Sequence, residues 1–458
     1  MFELPPYSYK DPAAVVIKRE GEFHRLIHQQ YISEYQHLME SGLYQELTDK
    51  NLLIPHEEFP GTKLPDGYVK ELKPVQLDYH ILPFEWSFSQ WKKCIIAYLQ
   101  INQIALQYGM VLKDATPYNF SMFRGNALLF DTSSFIFFKD KSPWISYRQF
   151  CEEFLAPFTL MKFNGSAWSR IYRSHIKGLP LEFVSKQLPI SSYFYPSILV
   201  HLHWHSRFQP QDHAENREKN VRKGFSKQSL LSLFKWIEKS LLSWEKPYQF
   251  NTHWSSYYEK SIESPIYLKH KKEQIESWIK QTKPQSLSDL GANNGEFSLI
   301  AASHVPKVIA IESASNCVDD LDTLLSKHAT SNIYPVVADL TQMSPDLGNN
   351  FQEFSNLGKR GKSEMTLALA VVHHLCITNH YSISQVISLV GLFCQKYLII
   401  EFVPLEDSKA QTLQKQMGMT FPNYYLDAFR SELAVNFDIK QEVNLKDSTR
   451  TLFLATRK

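Results

Sequence analysis

Asp289-Leu290-Gly291-Ala292-Asn293-Asn294-Gly295-Glu296 is the stretch on which the fold of the carboxy-terminal half turns. The apolar run Ser286–Leu290 leads straight into it. Glycines at such a point let the backbone turn tightly and approach a ligand without a Cβ in the way. The pattern is D-x-G-x-x-x-G, which differs from the G-x-G-x-x-G of dinucleotide-binding folds. A glycine-rich loop alone is an ordinary strand–helix turn, so its surroundings carry the weight. Further apolar runs follow at Val308–Ile311, Tyr334–Val337, Met365–Val372 and Tyr397–Ile400. Between them, segments such as Ala314–His328 and Ser382–Lys396 have helical spacing. Strands alternating with helices predict a mostly parallel sheet covered on both faces. A ligand then sits beyond the carboxyl ends of the strands, at the switch point. The second run ends at Glu312, where a carboxylate can accept from two ribose hydroxyls. The third ends at Val337-Ala338-Asp339-Leu340, and its acid can accept from an exocyclic adenine amine. Either acid alone reads as a helix cap or a solvated group. Their succession, one at the end of each strand, is the stronger signal.

In this succession the chain resembles the class I S-adenosylmethionine-dependent methyltransferases. The resemblance implies a Rossmann-like sheet, mostly parallel with one antiparallel strand. It implies that the loop residues Asp289, Gly291, Ala292, Asn293 and Gly295 hold the methionine part of S-adenosylmethionine, Glu312 the ribose, and Asp339 with Leu340 the adenine side. Phe437–Val443 and Thr449–Ala455, separated by Asn444–Ser448, read as the antiparallel pair that closes the family's sheet. The stretch from Asp339 to Gly348 reads as a loop over the adenine, or simply as a turn set by Pro345 and Gly348. Methyl transfer from a sulfonium is an in-line displacement, so the protein chiefly orients two reactants and excludes water. A base is needed only if the nucleophile must lose a proton. The catalytic candidates are therefore His373 and His374, after the fourth run, and Glu401, after the fifth. Each histidine has a structural alternative, as a backbone cap or as packing under the adenine. Glu401 can bind an acceptor hydroxyl or amine, or pair with Arg450 or a histidine.

The amino-terminal half reads differently. Val15–Arg19 and Glu22–His28 flank Glu20-Gly21 and predict a β-hairpin. Tyr31–Leu47 and Phe84–Tyr108 have helical spacing, the latter starting near Ser87 and interrupted on its apolar face by Asn102. Lys113-Asp114-Ala115-Thr116-Pro117-Tyr118-Asn119 follows, and Asp131 comes after a further apolar strand. This spacing resembles the catalytic loop and metal-binding Asp of the protein-kinase and aminoglycoside-phosphotransferase superfamily. The resemblance implies that Asp114 positions an acceptor hydroxyl, while Asn119 and Asp131 hold Mg²⁺ for ATP. The chain also departs from that pattern. Leu112-Lys113 stands where a His is usual, Thr132 follows the second Asp, and no Gly-rich phosphate loop precedes them. Lys18 and Arg25 lie on the hairpin without the context of a kinase lysine. A degenerate kinase-like α+β domain is the reading that results, with an Asp/Asn turn as the structural alternative. Tyr147–Met161 and Ser229–Trp244 read as its helical lobe. His201, His203 and His205 read as core and surface histidines, because a helix there puts only His201 and His205 on one face. Gln209–Lys227 reads as a polar linker.

The whole chain fits this division. Its 458 residues predict two or three domains, drawn as a kinase-like domain over 1–245 and a methyltransferase domain over 246–458, evident from about Trp254. A net charge of +2 gives no reason to expect nucleic acid or an anionic membrane as partner. No apolar run is long enough to span a bilayer. Met1–Lys10 lacks the apolar core of a signal peptide. Five scattered cysteines without a C-x-x-C pair predict reduced thiols in a cytoplasmic protein and no metal site. The two halves together resemble a bacterial family that includes the nodulation protein NoeA. The expectation is methyl transfer to a small-molecule, glycan or protein acceptor, with the amino-terminal region positioning the acceptor or regulating. The alternatives are a bifunctional enzyme with a live Mg-ATP site and a non-enzymatic cofactor-binding scaffold.

Overall fold

The computed structural model describes the chain except for residues 1–4, 6, 7, 9, 10, 62, 124, 208–223, 246–263 and 329–331. The chain forms two compact units, Met1–Gln249 with Gly348–Glu353, and Phe250–Leu347 with Phe354–Lys458. Residue 246, Trp254 and most of the linker Gln209–Lys227 lie outside the described residues.

In the first unit, β1 (Ala14–Arg19) and β2 (Glu22–His28) form the expected hairpin. Glu20 and Gly21 both take positive φ (51° and 89°), as the tight turn matching strand twist requires. With β3 (His56–Glu58) and β4 (Tyr68–Pro74) they make an antiparallel sheet in the order β1-β2-β4-β3. The single helix expected over Tyr31–Leu47 is instead two, α1 (Ile32–Glu40) and α2 (Leu43–Asp49). Gly42 at φ 91° breaks it, while Tyr35, Leu38, Leu43 and Leu47 stay buried on both sides of the break. Next is α3 (Phe88–Gln107), which starts in a Ser87–Gln90 capping box. Asn102 does not spoil its buried face. Its Nδ2 donates to the Tyr98 carbonyl (3.0 Å), and its Oδ1 accepts the Leu112 N–H (3.1 Å), tying α3 to β5 (Met110–Leu112). The hairpin of β6 (Phe120–Phe123) and β7 (Asn126–Leu129) follows, and then β8 (Phe135–Phe137), which pairs with β5. Helical turns run from Tyr147, through a wide-turn segment Phe150–Leu155, into α4 (Ala156–Asn164). Helix α5 (Lys227–Leu242) follows.

The second unit opens with α6 (Pro265–Thr282). Its first half alternates β9 (Ser286–Leu290), α7 (Glu296–Ala302), β10 (Lys307–Glu312), α8 (Ser315–His328) and β11 (Ile333–Val337). Its second half holds β12 (Ser363–Ala368), α9 (Ile383–Phe393), β13 (Cys394–Phe402), α10 (Ser408–Met417), α11 (Leu426–Asn436), β14 (Phe437–Asn444) and β15 (Thr451–Arg457). The sheet order is β11-β10-β9-β12-β13-β15-β14, and β15 alone runs against the rest. Strand order reverses between β9 and β12, which makes that crevice the switch point. The fourth strand ends earlier than expected, at Ala368. Ala370 takes φ 52°, which no continuing strand allows, and turns the chain into the next loop. Among the described residues, no helix is long and apolar enough to cross a membrane.

Candidate active site

The loop after β9 is pinned to β10. Gly291 and Ala292 both donate their N–H to the Ile311 carbonyl, at 2.9 and 3.0 Å. Gly291 has φ +75°, and a Cβ there would come within 2.7 Å of Val371 Cγ2. Gly295 has φ +78°, and its Cβ would meet the Leu321 side chain at 2.6 Å. Both positions thus demand glycine for conformation and for space. Gly291 is exposed, whereas Ala292 is buried beneath the loop.

Glu312 organises this crevice. Its Oε2 accepts the Asn293 N–H (2.9 Å), while Oε1 accepts the Ala314 N–H (2.8 Å) and the Ser313 hydroxyl (3.0 Å). One carboxylate therefore joins the glycine loop to the start of α8. Asp339 behaves similarly at the end of β11, accepting the Thr341 N–H (2.9 Å) and hydroxyl (2.7 Å). It and Leu340 are half-buried. Asp289 lies deeper, inside the strand. The Ser298 hydroxyl donates to its Oδ2 (2.7 Å). Burial, with the Glu312 carboxylate nearby, pushes the Asp289 carboxyl up to about 6. The residues fit S-adenosylmethionine: a tight loop turning at two positive-φ glycines after β9, then carboxylates ending the next two strands. The strand order and this loop decide the fold.

The carboxy-terminal unit has the fold of the class I methyltransferases. Over the whole chain there is a likeness to the nodulation protein NoeA of Rhizobium meliloti, 25% identical over 465 residues, covering 98% of this chain and 95% of that protein. Among solved structures, the magnesium protoporphyrin IX methyltransferase of Synechocystis PCC 6803 with bound S-adenosylhomocysteine is 19% identical, covers 42% of this chain and 84% of its own, and has a TM-score of 0.32. The N-methyltransferase NodS of Bradyrhizobium japonicum with S-adenosylhomocysteine is 11% identical, covers 42% and 87%, and has a TM-score of 0.31. Similarity of this extent adds nothing to the strand order. No protein-family model matches the chain.

At the end of β13, the structure shows Glu401 in a structural pairing, with a partner that differs from the one expected. Glu401 is fully buried. Lys271 donates to its Oε2 (2.6 Å), and the Tyr267 hydroxyl donates to its Oε1 (2.8 Å). Arg450, the partner expected from sequence, stands at 3.9 Å and is held mainly by Asp407 (2.7 Å). It also donates to the Tyr267 hydroxyl (2.9 Å). This network fastens α6 to β13 and to Arg450, just before β15, and it engages the carboxylate read as an acceptor candidate. The reason is charge. A buried carboxylate takes the cations within reach before it serves a ligand. Tyr267 and Lys271 carried no signal in the sequence beyond their spacing on one helix face.

His373 is buried as well, and among the described residues neither ring nitrogen has a hydrogen-bond partner. Burial, then His374, Arg450 and Lys271, hold its imidazole well below the usual histidine range. His374 packs against it with ring centres 4.0 Å apart and the planes tilted by 41°, and burial with Arg450 lowers it to about 4. Both rings are therefore neutral at neutral pH.

In the first unit, Asn119 Nδ2 donates to Asp131 Oδ2 (3.3 Å), and the Ser134 hydroxyl links Asp131 Oδ2 (2.7 Å) to the Asp114 carbonyl (2.9 Å). The structure thus gathers the three residues picked out by spacing. Asp114 is exposed, and its Oδ1 accepts from Gln149 (2.7 Å). Arg25 is ion-paired with Asp131, a contact that the sequence did not suggest. His201 bonds Tyr147 (2.8 Å), and His203 bonds Ser185 and Ser192, so the histidines do not converge. Among the described residues, no group of His, Cys, Asp and Glu is arranged to hold a metal.

Proposed function

We propose that the chain is an S-adenosylmethionine-dependent methyltransferase whose amino-terminal unit, of degenerate kinase-like descent, positions the acceptor or regulates transfer. One observation carries the reading. The strained glycine loop, Glu312 and Asp339 end three neighbouring strands at the switch point of a seven-stranded sheet. When bound, the cofactor supplies an already activated methyl group on a sulfonium. Backbone at Gly291 and Asn293, with Asp289 behind them, would hold its methionine end. Glu312 would accept from the ribose, and Asp339 and Leu340 would line the adenine. His374 and His373, both neutral, would shape the acceptor side; held below the usual histidine range, they would be weak bases for an acceptor that must lose a proton. The contact of Asn119 with Asp131 beside Asp114 supports the kinase-like descent. The acceptor is a small molecule, a glycan or a protein. The glycan stays among these because of the likeness to a nodulation protein.

Calorimetric titration of the intact chain with S-adenosylmethionine tests the reading. Binding that Gly291→Arg or Asp289→Ala removes, with circular dichroism unchanged, supports it. A folded wild-type chain that takes up no cofactor would sink it. Labelled-methyl transfer into a lysate of the source cell then identifies the acceptor.

A further inference from the structure

A phosphotransferase centre of the kinase type needs a carboxylate whose lone pairs face a divalent cation. At Asp131 those positions are taken. Oδ1 accepts from the Arg25 guanidinium and the Ser133 N–H (3.0 Å), and it shares the Ser133 hydroxyl proton (2.6 Å) with Oδ2 of Asp11 (2.7 Å). Oδ2 accepts from Ser134 (2.7 Å) and Asn119 (3.3 Å). A carboxylate offers about four acceptor sites, and these donors occupy most of them, one of them with a fixed cation. Arg25 is itself fixed, since it also donates to the Ser133 hydroxyl (2.8 Å) and the Phe130 carbonyl (3.3 Å). It is only 12% exposed, and a guanidinium does not lose its proton. A metal ion at Asp131 would have to expel this largely enclosed cation or share the carboxylate with a like charge. The segment after Asp131 is held from the same side. The Tyr31 hydroxyl donates to the carbonyls of Thr132 (3.2 Å) and Phe135 (2.8 Å). The residues present therefore do not fit Mg-ATP.

We propose that Arg25 is the permanent cation of this centre, standing where a kinase places Mg²⁺, so that the amino-terminal unit is closed to metal–nucleotide. This rests on the kinase-like reading of Asp114, Asn119 and Asp131. It assigns Arg25 the role of an internal counter-ion that locks the centre, so the unit acts through its surface and not by phosphoryl transfer.

The test uses the intact chain, with Mn²⁺ titration followed by electron paramagnetic resonance and melting with Mg²⁺ and a non-hydrolysable ATP analogue. The wild-type chain is expected to show no Mn²⁺ site that Asp131→Asn removes, and no shift in melting. Arg25→Gln is expected to gain Mn²⁺ binding, and Asp131→Asn on that background to abolish it. An Asp131-dependent Mn²⁺ site in the wild-type chain overturns the proposal while leaving the kinase-like reading intact. An Arg25→Gln chain with a native circular-dichroism spectrum that gains no Mn²⁺ overturns both. If Arg25→Gln unfolds, Arg25→Met takes its place, with Mn²⁺ gained or not gained read in the same two ways, and an Asp131-dependent site in the wild-type chain refutes the lock in either case.

Discussion

Gly291 shows how much rests on one missing side chain. Alanine there must adopt φ near +75° and press its Cβ to 2.7 Å from Val371. Gly291→Ala is expected to cost about 1–3 kcal/mol of stability and to weaken cofactor binding, read by chemical denaturation and calorimetry. Asp289 carries a different tension. Its folded pKa, about 6, lies above the ordinary 3.8. Protonation thus favours the fold, and that contribution, full below the ordinary value, is lost as pH rises through about 6. A shift of this size corresponds to roughly 3 kcal/mol at neutral pH. Asp289→Asn should therefore melt higher than wild type at pH 7 in the absence of cofactor, yet bind cofactor poorly. His374 has the opposite sign. Lowered to about 4 from 6.5, it contributes stability above the ordinary value that is lost as pH falls through about 4. In Asp289→Asn the histidines act unopposed, so its melting temperature should drop more steeply than wild type from pH 6 to pH 4. Parallel slopes would contradict this account.

At the scale of elements, α6 is the piece whose attachment is most exposed to a single change. Lys271, 2% exposed on α6, meets Glu401 on β13. Removing one partner leaves the other buried and unpaired, so Lys271→Met should cost about 3–5 kcal/mol. Replacing both, as in Lys271→Met with Glu401→Leu, should recover much of the loss, since a packed apolar pair of similar volume is often no worse. Urea denaturation of the two single variants and the double variant gives the coupling. Additive losses would mean that the ion pair does not hold the helix. The hairpin β1–β2 and the switch-point loop were legible because turn glycines and alternation are local. The break at Gly42 and the early end of β12 were not, because apolar spacing continues through both.

For the molecule as a whole, the two units should respond differently to ligands. S-adenosylmethionine at about a hundredfold its dissociation constant should stabilise the unit that binds it by roughly 2.7 kcal/mol. Scanning calorimetry of the intact chain should show a raised transition with cofactor and an unmoved trace with Mg-ATP. A shift with Mg-ATP and none with S-adenosylmethionine would reverse the roles given to the two halves.

The amino-acid sequence alone was enough for the alternation of strands and helices, the glycine loop, and the acids at Glu312 and Asp339. These are legible because periodicity and turn chemistry act between chain neighbours. Tertiary structure decided which charged groups remain open to a ligand. Glu401 meets Lys271 across 130 residues, Tyr267 meets Arg450 across 183, and Arg25 meets Asp131 across 106. Desolvation and ion pairing depend on what distant elements bring alongside. They pair one candidate acceptor residue, Glu401, with Lys271, and the carboxylate picked out by its spacing, Asp131, with Arg25.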